Sequence, residues 1–357
     1  MRAVEASTVE AIARRFHGPG PVRAEHFERG NVHDTWFVSG GDARSVVQRL
    51  NNQVFGDCVL MMDNVLRVAG HVERRLGRSP SVLRALDGAV LVYDAQGRPW
   101  RAFERVPHAS SHRVMASPEQ AREVGRGLGR FLAAIQDLPG PPIKEPIPGF
   151  KDFERRRADF EMMVEVDVVG RASTCALEIE GVRRYHRLVD RFIAALDGGR
   201  LPTRLVHNDA KADNVLLDDG TGAFVCVIDL DTVAPGTVLF DVGDLLRSAT
   251  ITSGEDAATS GVGVRNDLLE AALGAYLAEA MAVLSPDELA LVPLAGPLMA
   301  YEAALRFLTD HLAGDSYFRV TRPFHNLDRA RAQLQVLEAL TTATGRVREV
   351  VERASAR

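Results

Sequence analysis

Cysteine is nearly absent. The 357 residues contain three, Cys58, Cys175 and Cys226, with no C-x-x-C pair and no histidine at zinc spacing. That excludes a disulfide scaffold or a zinc knuckle, and each thiol reads as a small buried hydrophobe. So sparse and odd a count suits a reducing compartment, and a cytoplasmic protein is expected. A basic excess is also missing, since the formal net charge is −5. A nucleic-acid binder usually carries a basic face, so that class of partner is not expected. No stretch approaches the roughly 18 uninterrupted apolar residues of a membrane span. The opening "MRAVEASTVEAIARRF" lacks the apolar core of a signal peptide, so no membrane association is expected. Internal repeats and low-complexity tracts are missing too.

What is present falls into two parts. Residues 1–105 read as α+β. "TWFV" and "SVVQRL" have strand-like β-branched and aromatic content around an "SGGD" hairpin signal. "VLMMDNVLRVAGHVERRL" places Met61, Val65, Val68, Val72 and Leu76 on one helical face. "AVLVYDAQGRPWRAFERV" reads as two more strands. Three strands, a helix and two strands predict a small antiparallel sheet with one packed helix. Residues 106–357 read as mostly helical, with helices expected near 118–138, 151–167, 173–197, 265–283, 286–312 and 325–353. "ITSGEDAATSGVGV" reads as a small-residue loop. This length suits two lobes.

The chemistry concentrates in "LVHNDAKADNVLLDD", Leu205 to Asp219, and "FVCVIDLD" beyond a short hairpin. The spacing is H-x-D-x-x-x-x-N, a hairpin, then an acid after an apolar strand. Phosphoryl transfer needs positioning and charge neutralisation more than covalent help. Asp209 suits acceptance of a proton from an attacking hydroxyl. Asn214 and Asp229 are oxygen donors suited to Mg²⁺, which uses few carboxylates plus substrate phosphates. Asp231 is a further candidate, for a second Mg²⁺ or for the sugar. His207 reads as a loop brace, and Lys211 as either a γ-phosphate contact or a solvated loop cation. Asp and Asn are common in turns, so the signal is their joint spacing.

"HNDAKADN" and "VIDLD" resemble the motifs of the aminoglycoside phosphotransferase and choline kinase superfamily. The resemblance implies a two-lobed protein-kinase-like fold, with a small antiparallel-sheet N-lobe and a mostly helical C-lobe. It implies ATP as phosphoryl donor with Mg²⁺, Asp209 as base and Asn214 and Asp229 as metal ligands. An ordinary protein kinase fits worse, because the arginine of the HRD motif and an APE signature are missing. "VVQRLNNQVF", "GRPWRAFERV", "VIDLDTVAPGTVLFDVGDLLR" and "YEAALRFLTDHLAGDSYFRV" are similar to segments of bacterial N-acetylhexosamine 1-kinases. That similarity implies phosphorylation of the anomeric hydroxyl of N-acetylglucosamine or N-acetylgalactosamine. The related kinases carry Asn at the position of His33 and His at that of Lys151, which leaves the acceptor open. An aminoglycoside or another alcohol acceptor is the alternative. A catalytically silent nucleotide- or sugar-binding protein is a third reading.

Several candidates support the site. Gly30 lies in the turn that would cover the nucleotide, although neither GxGxxG nor a Walker A sequence is present. Aligning the apolar pair Val46-Val47 puts Gln48 in the slot where the fold expects a strand lysine. Arg49, the other nucleotide-binding candidate of this strand, would point to the other face of a regular strand unless a bulge turns it inward. Asp63 is the candidate helix acid for that slot, with Glu73 behind it. Glu104 and Val106 flank the expected adenine hinge, where contacts run through backbone. His33 and Asp34 are placed near the substrate cleft. Glu302, Arg306 and Asp310 fall on one stripe of an apolar helix, and Arg306, Asp310 and Tyr317 are candidate sugar contacts. The same spacing also suits a salt-bridge ladder. Asp241 reads as a structural tie to the catalytic loop.

Overall fold

A computed structural model describes all residues except 1–3, 28–31, 42, 253–261 and 357. Gly30 therefore lies outside the described residues, as does most of the 251–264 loop. An N-terminal helix α1 (Ala6–His17) precedes strands β1 (Arg23–Phe27), β2 (Asp34–Gly40) and β3 (Ala43–Arg49). Helix α2 (Cys58–Leu76) follows, then β4 (Val82–Leu83), β5 (Val92–Tyr93) and β6 (Pro99–Glu104). The sheet is antiparallel, in the order β1-β2-β3-β6-β4, with β5 pairing the same edge of β6 as β4, nearer its start. This is the expected order of three strands, a helix and a strand pair, with the short β4 added between helix and pair. Helix α1 was not foreseen. It buries Val9, Ile12, Ala13 and Phe16 against Trp36, Val47, Trp100 and Ala102 on one sheet face. Trp100 is fully buried in this core.

The remainder is mixed but mainly helical. Strand β7 (Ala109–Ser110) precedes α3 (Pro118–Ile135), α4 (Phe153–Val166), α5 (Ala176–Arg184) and α6 (Arg187–Asp197). Then come β8 (Arg204–Val206), β9 (Val215–Asp218), β10 (Phe224–Val227) and β11 (Ala234–Gly236). Helices α7 (Val238–Ala249), α8 (Asn266–Ala280), α9 (Pro286–Leu312), α10 (His325–Thr342) and α11 (Thr344–Ser355) complete the chain. The helix expected over 173–197 is broken at Tyr185, and that over 325–353 at Ala343. Both breaks redirect an apolar stripe that a single straight helix could not keep on the core.

Packing explains the small residues of α3. A Cβ on Gly125 would lie 2.0 Å from the Ala272 carbonyl oxygen, and one on Gly129 would lie 2.5 Å from that of Tyr276. Glycine at these positions lets α3 and α8 approach backbone to backbone. Helix α9 starts with a capping box of Ser285 and Glu288. The Glu288 carboxylate also accepts from Arg204 at 2.6 and 2.8 Å, which ties the start of α9 to the strand feeding the catalytic loop. Long and apolar enough to cross a membrane, α9 is instead mostly buried within the protein.

Candidate active site

Strand β8 delivers the loop, and α7 holds its backbone. The Asp241 carboxylate accepts from the His207 and Asn208 amides, each at 2.9 Å. Burial pushes Asp241 up to about 6. His207 is fully buried and donates through Nε2 to the Ile228 carbonyl at 3.1 Å, bracing the loop against the end of β10. Asn208 has a left-handed backbone (φ 64°). Its side-chain amide donates to the carbonyls of Thr232 (3.0 Å) and Ala234 (3.3 Å). A β-carbon on Gly236 would come within 2.7 Å of Asn208 Oδ1 and of a Val206 methyl, so the end of β11 favours glycine. The loop is thus over-determined on three sides before Asp209 emerges.

Around Asp209 the protein is cationic. Lys211 Nζ lies 3.1 Å from its carboxylate, and the Asn214 amide donates to its backbone oxygen (2.8 Å) and its carboxylate (3.2 Å). Burial works to raise the Asp209 carboxyl. The charges of Lys211, His207, Arg247 and Lys151 outweigh burial and hold it at about 2. Asp229 is the opposite case. Its backbone is left-handed (φ 60°) and the residue is exposed. Desolvation by the cleft walls, then Asp231 and Asp209, raise it to about 6 despite that exposure. Acids crowded this way are what a divalent cation relieves. Among the described residues no three His, Cys, Asp or Glu side chains form a metal cluster. A magnesium ion would thus draw on Asn214, Asp229, phosphate oxygens and water, a hard-donor set that fits it.

The N-terminal side departs from expectation at several residues. Strand β3 is regular, with unbroken pairing to β2 and β6. Arg49 accordingly turns to the face packed on α1, where it forms a buried ion pair with Asp34 (Nε to Oδ2, 2.9 Å). Neither Arg49 as a nucleotide contact nor Asp34 as a substrate contact fits this placement, because side chains alternate across a strand. Asp63 is exposed on α2, and so is Glu73. The acid that meets the slot comes instead from Asp231. Gln48 stands directly across from Arg101 of β6 and accepts from its Nε at 2.9 Å. Arg101 then grips Asp231 with both terminal nitrogens, at 2.5 and 2.6 Å. His33 Nε2 donates to the same carboxylate at 2.8 Å, its Nδ1 accepting from the Asn51 amide. Asp231 therefore spends both oxygens on protein rather than lying open as a metal ligand, and His33 serves that acid rather than a substrate. Glu104 ends β6, its amide donating to Ser81, and is exposed beside Val106.

On the other side of Asp209, one carboxylate faces three cations. Glu302 lies 3.3 Å from Arg306, 3.6 Å from Arg156 and 3.8 Å from Lys151. Burial works to raise Glu302, but Lys151, Arg306 and Arg156 hold it at about 2. The Arg306 guanidinium lies within about 5.4 Å of the ring centres of Phe150, Tyr317 and Phe318, and donates to the Tyr317 hydroxyl at 3.3 Å. Asp310 takes a different part from the one expected. Its carboxylate accepts from the amides of Ser316, Tyr317 and Phe318 and from Asn326 at 2.8 to 2.9 Å. It shapes the loop that presents Tyr317 and has no oxygen left for a ligand. A cavity of about 410 Å³ lies alongside, its wall including Phe150, Lys151, Asn208, Thr237 and Phe240. Asn208 Oδ1 and Thr237 Oγ1 are buried there without a hydrogen-bond partner among the described residues.

Arg101 and Arg156 escaped the sequence reading. Only the strand pairing of Gln48 with Arg101, which spans half the N-terminal sheet in sequence, could have pointed to the first.

A kinase-like α+β fold with an Asp-Asn-Asp constellation in its cleft defines a phosphotransferase acting on a hydroxyl acceptor. The chain matches the model of the phosphotransferase enzyme family over residues 23–286, most of its length, and belongs to that family. Solved structures agree in fold. An aminoglycoside phosphotransferase from Alicyclobacillus acidocaldarius is 15% identical with a TM-score of 0.61, over 99% of this chain and 98% of that one. A microcompartment-associated aminopropanol kinase is 17% identical (TM-score 0.59, 99% of each chain). Choline kinase from Cryptosporidium parvum is 13% identical (TM-score 0.55, 98% of this chain and 100% of that one).

Proposed function

We propose that the protein transfers the γ-phosphoryl group of ATP to the anomeric hydroxyl of an N-acetylhexosamine, in the cytoplasm. The observation that carries the acceptor class is the charge beside Asp209. Lys151, Arg156 and Arg306 surround the buried Glu302, and Lys151 also lies 4.0 Å from the buried Asp244, which Arg247 already pairs. Such a surface repels a polycationic aminoglycoside and accepts a neutral polyol. Tyr317, 38% exposed, offers an aromatic face to a sugar ring, and the neighbouring cavity has the size of small-ligand sites.

Asp209, held near 2, is ionised at any working pH. So weak a base orients the attacking hydroxyl through a hydrogen bond. It receives the proton only as bonding to phosphorus makes that hydroxyl acidic, which suits a loose transition state. Lys211, 3.1 Å away, steadies the negative charge that Asp209 shares with the incoming phosphoryl group. Bound magnesium, held by Asn214 and Asp229, would supply neutralisation of the phosphate oxygens. Lobe closure excludes water and so limits loss of ATP to hydrolysis.

The test is ADP release from Mg²⁺-ATP across N-acetylglucosamine, N-acetylgalactosamine, glucosamine, galactose and kanamycin, with phosphorus NMR locating the new phosphate. An anomeric phosphate on an N-acetylhexosamine is expected. Turnover confined to kanamycin would overturn the acceptor and leave the family chemistry standing.

A further inference from the structure

We propose that Arg101 takes over the role of the absent strand lysine as a positioning residue, by latching the N-terminal sheet to the turn that carries Asp229. This rests on reading Asp229 as a metal ligand. Thr35, Gln48 and Arg101 are opposite one another on β2, β3 and β6. Their side chains form a hydrogen-bonded row, with Gln48 Nε2 on Thr35 at 3.1 Å and Arg101 Nε on Gln48 at 2.9 Å. The row ends in the two-pronged grip on Asp231, with both residues at most 2% exposed. Met62 of α2 backs the guanidinium, its sulfur 3.5 Å from one nitrogen. So Gln48 in the lysine slot does not leave the sheet uncoupled from the cleft. It aims a longer cation from the next strand.

The arrangement differs in kind from a lysine paired to a helix acid. A guanidinium fork fixes a carboxylate in plane as well as in distance. His33 adds a third contact from the segment before β2, so Asp231 is held by two separate parts of the N-terminal lobe. Asp231 lies two residues beyond Asp229, whose left-handed backbone leaves little freedom between them. Fixing Asp231 therefore fixes where Asp229 presents its oxygens, and any tilt of the sheet is passed to that acid. The competing reading is that Asp231 ligates metal itself and Arg101 only masks it. The two readings predict opposite signs.

The experiment is a Mn²⁺ titration with ADP present, followed by electron paramagnetic resonance, on wild type, Arg101→Met, Arg101→Lys and Asp231→Asn. Thermal melts run alongside. The latch predicts at least tenfold weaker Mn²⁺ binding in Arg101→Met and an intermediate loss in Arg101→Lys, which keeps the charge without the fork. Asp231→Asn, retaining one acceptor oxygen, is expected to weaken binding less than Arg101→Met. Mn²⁺ binding unchanged or tighter in Arg101→Met overturns the latch, even if the melting temperature falls. Should Arg101→Met not fold, wild-type Mn²⁺ affinity in Arg101→Lys overturns it equally. Wild-type protein that binds adenosine but no Mn²⁺·ADP would overturn the metal reading of Asp229 and the latch together, and is told apart by that control.

Discussion

Each face of the N-terminal sheet buries an arginine on an aspartate, and the two pairs do different work. Arg49 and Asp34 sit on adjacent strands, directly opposite in register, on the face covered by α1. Arg101 and Asp231 meet across the cleft, from β6 and from the turn after β10. Replacing a buried pair with apolar residues is often neutral for stability, whereas removing one partner leaves a costly unpaired charge. Such pairs are therefore better understood by what they connect. The first joins two strands that backbone hydrogen bonds already join. The second joins parts of the protein that nothing local holds in register.

That contrast can be broken or sharpened by mutation. The largest effect sets the scale. Asp209→Asn should lower kcat on the order of a thousandfold, as loss of a general base does, out of proportion to any change in stability. Arg49→Met should act in reverse, costing about 3 kcal/mol of stability by stranding Asp34 while kcat holds in the surviving folded fraction. Chemical denaturation and steady-state rates on the same preparation check both. If Arg49→Met lowered kcat while stability held, the two faces would not be distinct.

With Glu302 and Tyr317, its partners, at the proposed acceptor site, Arg306→Ala should raise the KM for the acceptor about tenfold with little change in the KM for ATP. Smaller again is a pH effect. Asp229 titrates near 6 in the folded protein against 3.8 when unfolded, so the folded state binds more protons between these values. The metal-free protein should then lose stability as pH rises from about 4 through about 6, and Asp241, also near 6, adds in the same sense. Magnesium needs Asp229 ionised, so stabilisation by added Mg²⁺ should grow over the same interval. Melting curves with and without Mg²⁺ at pH 5 and pH 7 measure this.

The same contrast explains what could be read from the sequence. His207, Asp209, Asn214 and Asp229 fall within one loop and hairpin, so their spacing carried the chemistry. The strand-helix-strand order of the first 105 residues was legible from alternation and turn signals. Arg49 could reach the nucleotide only through a bulge in β3, and the strand is regular, so that candidate fails. Contacts made by long-range pairing were hidden. Asp310 looks like part of a polar stripe with Arg306, but its helix turns it onto the amides of the 316–318 loop. Asp34 and His33 are neighbours in sequence yet serve opposite sheet faces. Asp63 has the expected helix position but points to solvent, because Met62 takes the inward place beside Arg101.

The most direct test of the account is single-turnover transfer from Mg²⁺-ATP to saturating N-acetylglucosamine in Asp209→Asn, with ADP affinity measured in parallel. The account predicts transfer slowed on the order of a thousandfold and ADP affinity within a factor of two of wild type. Transfer at the wild-type rate, or a loss matched by weaker ADP binding, would contradict it.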